Sequence, residues 1–186
     1  SPRPWPGTPS PERLRPFLPL LRRERYTAEL MEAGKALAQA GKGTADFPTV
    51  KMQFEAIRDD MRNPKEARRF LAEAIEKHGR DARFRIPALQ LLARHDLETG
   101  KDPVLALQSV NRIEEIPRIG KDAPRRLAWE IAILKGDCHR AAGDYAKAMA
   151  AYEQAETVED AGGSAALKRS SYGLTVESYL DSKELD

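Results

Sequence analysis

The chain has 186 residues, 41% apolar and 32% charged, with 31 basic against 29 acidic side chains and a net charge of +2. That balance is too apolar for a disordered chain and too charged for one threaded through a bilayer, and no stretch reaches the roughly 18 apolar residues that a spanning helix needs. Nor is there the concentrated positive face that nucleic-acid binders usually carry.

The first eleven residues, SPRPWPGTPSP, hold five prolines. Fixed φ angles and missing N–H donors at that density prevent a helix or a central strand, so residues 1–11 are predicted to be a linker. Residues 12–47 are predicted to form irregular capping helices, because Pro16 and Pro19 interrupt the interior of the first one. The basic run RLRPFLPLLRRER over 13–25 reads as solvated helix faces.

From there to residue 182 apolar residues recur at steps of three and four, with no β-branched alternation, so the fold class is all-α. Val50, Phe54, Ile57 and Met61 form one apolar stripe, and Leu127, Ile131, Leu134, Cys138 and Ala141 another. Turn chemistry concentrates at 41–48, 62–64, 78–82, 99–103, 117–124, 141–144 and 160–164. Several of these turns place Asp or Asn just before the next helix, with Pro64 and Pro103 suited to a first helical turn.

Within GDYAKAMAAYEQA, residues 143–155, Ala148, Tyr152 and Ala155 share one helical face, a large residue between two small ones. The spacing recurs in Ala33, Leu37 and Ala40, in Ala67, Leu71 and Ala74, and more loosely in Ala106, Val110 and Ile113. A small side chain lets the second helix of a pair lie against the first, and the large one fills the gap to the next pair. Four such sets, each preceded by a polar turn, mark a repeated unit.

Gly136, Gly143 and Tyr145, together with Ala148, Tyr152 and Ala155, make residues 128–155 resemble a tetratricopeptide repeat. Lys135 and His139 depart from that family, which has a large apolar residue and an aromatic there. Weaker matches extend the resemblance over roughly residues 25–180. It implies a right-handed α-α superhelix of antiparallel helix pairs over 48–182, with Ala67, Leu71, Ala74, Gly136, Ala148, Tyr152 and Ala155 as packing residues. The last helix then stands like the first member of a pair. The next marker alanine would fall at about position 190, so that helix is either a terminal cap or part of a longer chain. The missing initial Met favours the longer chain.

The resemblance further implies a binding groove lined by Gln90 and Arg94 in the third unit and by Glu130, Ile133, Asp137 and Arg140 in the fourth. The expected role is a scaffold that holds a peptide or partner protein. Some members of the family clamp acidic C-termini, which Glu130 and Asp137 would oppose, so an apolar or mixed-charge segment is the expected occupant. Two alternatives stay open. One is RNA binding by helical repeats, for which 20 arginines against 11 lysines offer phosphate and base contacts. The other is a regulatory or tethering segment of a larger multidomain or membrane-anchored protein.

No catalytic residue, metal or cofactor is expected. His78, His95 and His139 lack the four-residue spacing that aims two imidazoles at one ion and are expected at the surface or as caps. Cys138 and His139, adjacent on a helix, point about 100° apart, so no thiolate–imidazolium pair is expected and Cys138 is assigned to the core. Trp129 is assigned to the space between helices. A single cysteine fits a reducing, cytoplasmic setting, with an exported or membrane-tethered chain left open.

Overall fold

The computed structural model describes residues 11–41, 45–116, 124–160 and 165–184, so the leader over 1–10 and the turn chemistry at 117–123 and 161–164 lie outside the described residues. The elements are helical, and no strand occurs among the described residues. The chain divides into two compact units, Ser1–Ala88 and Leu89–Asp186.

The first unit opens with α1 (Pro11–Leu14), a 3-10 turn (Arg15–Phe17) and α2 (Leu18–Arg23). Pro16 and Pro19 each stand in the first turn of a new segment, where the missing N–H costs nothing and the fixed φ suits helix entry. These short pieces pack on α3 (Thr27–Ala40). Leu14, Leu18, Leu21, Leu30, Ala33, Leu37 and Ala56 form one buried cluster there. Truncating a leucine as enclosed as Leu30, 0% exposed, costs about 2–5 kcal/mol. Arg22 ties α2 to the π-helical turn that continues the next helix, through Asp60 at 2.6 Å and Asp59 at 3.2 Å.

That helix is α4 (Phe47–Glu55), started by Asp46, whose carboxylate accepts the Thr49 N–H at 3.0 Å. It runs into a π-helical turn (Ala56–Asp60) and is followed by α5 (Pro64–His78). The start of α6 (Ala82–His95) brings Phe84 edge-on to Phe47 and to His78, with ring centroids 6.3 and 5.8 Å apart. Pro87 lies inside α6, where it removes the bond to the Arg83 carbonyl.

Three turns share one local design. In Arg62–Asn63–Pro64, Lys101–Asp102–Pro103 and Gly143–Asp144–Tyr145 the first residue has positive φ, 50°, 53° and 78° respectively. The second caps the following helix: Asn63 accepts from Glu66 N–H at 3.1 Å, Asp102 from Leu105 N–H at 2.9 Å and Asp144 from Lys147 N–H at 3.4 Å. Five residues after the positive φ come Ala67, Ala106 and Ala148, each 0% exposed. The first two turns follow π-helical closures, Ala56–Asp60 and Asp96–Gly100. The third closes α8 when Asp144 N–H reaches the His139 carbonyl at 2.9 Å. Glycine takes a left-handed φ without steric cost, whereas Arg62 and Lys101 each forgo about 1–2 kcal/mol.

The second unit contains α7 (Pro103–Glu114), α8 (Arg125–Ala141), α9 (Tyr145–Asp160) and α10 (Ala165–Lys183), and α8 packs on α7, α9 on α8 and α10 on α9. Between α8 and α9 the two backbones approach where Gly136 has no side chain. A Cβ there would run into the Tyr152 ring. Tyr152 and Ala155 are fully buried on the other side of that contact. The buried face of α10 includes small side chains too, with Ser171 and Ser178 both 0% exposed.

Leu71 and Ala74 are buried beside Ala67, whereas Ala40 is exposed. The apolar stripes run out at their ends, where Met61 and Ala141 are exposed. The histidine expectation needs correction: His78 and His95 are 9% and 4% exposed and belong to the interior. Their position within the last turn of a helix gave no sign of this, because a neighbouring helix covers a helix end as readily as its middle.

Candidate functional site

The residues assigned to a groove all belong to the second unit, and Trp129, Glu130, Ile133, Asp137 and Arg140 project from α8 at helical steps. Gln90 of α6 donates its side-chain amide to the Glu130 carboxylate at 3.2 Å, and Arg126 supports the other Glu130 oxygen at 3.0 Å. Ile133 is half-buried one turn further along.

Asp137 accepts a hydrogen bond from the Tyr152 hydroxyl at 2.8 Å. Burial pushes its carboxyl above the ordinary aspartate value, against the pull of the Tyr152 hydrogen bond and of the Arg140 and Arg94 charges. The same burial, with the Asp137 charge beside it, raises the Tyr152 phenol. Arg94 is exposed. It reaches this group as a field rather than as a contact.

Arg140 turns the other way. Its guanidinium bonds to Asp181 at 2.8 Å and to Glu177 at 3.0 Å, both on α10. Eleven residues earlier, the Trp129 indole N–H donates to Ser171 Oγ at 3.0 Å. These two bridges join α8 to α10 at sequence separations of 42 and 41 residues. Near-constant separation means that the two helices run parallel, and the Gln90–Glu130 bond joins α6 to α8 at a separation of 40.

The structure therefore gathers Gln90, Glu130, Asp137 and Arg140 into bonded positions and leaves Ile133 as the half-buried apolar residue among them. Ser171, Glu177 and Asp181 went unassigned in the sequence. A charge pair one repeat interval apart, Arg140 and Asp181, is the signal that would have found them.

Cys138 lies inside the same helix, 1% exposed, and burial with the Asp137 and Asp96 charges pushes its thiol up to about 12. Burial holds the His139 imidazole below its usual value, so the neighbouring pair stays thiol and neutral imidazole near pH 7. Among the described residues no group of three or more His, Cys, Asp or Glu is placed to hold a metal ion, and no helix is long and apolar enough to cross a membrane. No protein-family model matches the chain, and no curated protein matches it in sequence.

Proposed function

We propose that the second unit is a tetratricopeptide-like interaction module that holds a peptide or a helix of another protein against the face of α8. The observation that carries this reading is the parallel alignment of α8 with α10, bridged by Trp129–Ser171 and Arg140–Asp181. Helices that repeat in parallel at a near-constant interval present equivalent faces side by side, which is how helical-repeat proteins form an extended binding surface.

The chemistry of the face sets the occupant. Glu130 and Asp137 contribute acidic groups, Arg94 a basic one and Ile133 an apolar spot, while Arg140 is paired with Glu177 and Asp181 on α10. An acidic tail would meet two carboxylates, so the ligand is an apolar or mixed-charge segment.

The test compares partner capture by the unaltered chain and by Ile133→Asp, with helicity followed by circular dichroism. Loss of the captured partner with unchanged helicity supports the assignment. Retention of the same partner at the same yield removes it.

A further inference from the structure

A cavity of about 500 Å³ in the first unit is lined by α3, α4 and α5. The buried Gln53 of α4 forms part of its floor, and half-buried Met31 of α3 and Phe70 of α5 stand on its walls. Glu73 and Lys77 share the face of α5 that carries Phe70 and are exposed at the mouth.

The floor holds an incomplete hydrogen-bonding group. Gln53 is 5% exposed, and its amide lies over Gly34, where a Cβ would run into it. The amide nitrogen donates to the Met31 carbonyl at 3.2 Å, which fixes the way the amide faces, and among the described residues nothing donates to its oxygen. A buried acceptor without a donor is costly, and the cavity that Gln53 lines is where a donor can enter. The second unit makes a similar contact, Tyr152 against Gly136, but there the large side chain completes its bond on Asp137.

Charge at the mouth is uncommitted as well. Lys35 is tied to Glu32 at 3.0 Å and Glu73 lies 3.9 Å from Arg69, whereas Lys77 makes no ion pair among the described residues.

We infer that this cavity binds a small phenolic acid. The phenol O–H donates to the Gln53 oxygen at the floor, and the carboxylate meets the Lys77 ammonium at the mouth. The ring between them lies against the Met31 thioether and the Phe70 ring, both favourable neighbours for an aromatic group. Apolar walls with a few placed polar groups are the usual form of a small-molecule site, and the volume suits one. The site lies in the other unit from the α8 face, so the failure of either assignment leaves the other standing.

The test is calorimetric titration of the whole chain with 3-(4-hydroxyphenyl)propionate, 3-phenylpropionate and tyramine. The phenolic acid should bind with a dissociation constant of about 0.1–1 mM, as its few atoms allow. Removing the hydroxyl should weaken binding about tenfold, and tyramine, whose tail is cationic, should bind more weakly than either acid. Gln53→Met should bring the two acids to equal affinity, because it removes the acceptor and keeps the length of the side chain. The exposed Lys77→Met should weaken both acids about threefold or more with helicity unchanged. No saturable binding up to about 10 mM, equal affinity of the wild-type chain for the two acids, tyramine binding as tightly as they do, or an unchanged affinity in Lys77→Met would each overturn the proposal.

Discussion

The Tyr152 hydroxyl donates a hydrogen bond to Asp137 at 2.8 Å while the ring of the same tyrosine fills the space left by Gly136, the residue before that aspartate. One side chain of α9 is thus held at its edge by packing and at its tip by a hydrogen bond, both from consecutive residues of α8. Tyr152→Phe should cost about 1–2 kcal/mol in chemical denaturation, because it keeps the ring and strands a half-buried carboxylate. A change within experimental error would show that water replaces the hydroxyl.

Asp137 also has a pH signature. Its folded carboxyl titrates above the ordinary value of 3.8, so its contribution to stability is greatest below that value and is lost as pH rises through the folded one. Relative to Asp137→Asn, whose amide oxygen can still accept from Tyr152, the wild-type chain should lose stability as pH rises from about 4 towards neutrality. Parallel pH profiles for the two proteins would contradict the burial of this group.

Close approach and helix propensity can be separated by two glycine substitutions. Gly136→Ala should destabilise by about 1–3 kcal/mol, since overpacking against Tyr152 exceeds the propensity gain. Gly173→Ala should stabilise by up to about 1 kcal/mol, measured at low micromolar concentration, because nothing lies within 4 Å of the added atom. Equal effects at the two sites would mean that α8 and α9 are further apart than described.

The two bridges to α10 differ in kind. Trp129→Phe removes a part-buried hydrogen bond worth about 1 kcal/mol, and Arg140→Gln removes partly exposed ion pairs worth less than about 1 kcal/mol. Both should speed amide exchange in α10 relative to α8. Only the Arg140 effect should shrink as salt rises; a salt-sensitive Trp129 effect would refute the assignment.

Cys138 should resist a thiol-labelling reagent at pH 8 until the chain unfolds, because a thiol pushed up to about 12 and 1% exposed offers almost no thiolate. Rapid labelling under native conditions would place it outside the core.

Local chemistry was legible in the chain. Proline positions marked the segmented start, asparagine and aspartate marked the caps, and alanine–large–alanine sets marked the buried faces of α5 and α9. Each depends on residues within a turn or two of one another, so the linear order carries the information. Other turns hid their conformation: Arg62 and Lys101 take positive φ without glycine because the π-helical closure before them and the cap after them fix the backbone between.

The groove assignment mixed both kinds of information. Helical spacing put Glu130, Ile133, Asp137 and Arg140 on α8, but spacing has no knowledge of what lies opposite. Only the tertiary structure decided that Asp137 answers to Tyr152, that Arg140 is committed to Glu177 and Asp181, and that His78 and His95 are enclosed. Burial, and the pairing of charges about 40 residues apart, are properties of packed helices, and a single helix's periodicity cannot encode which neighbour will cover it.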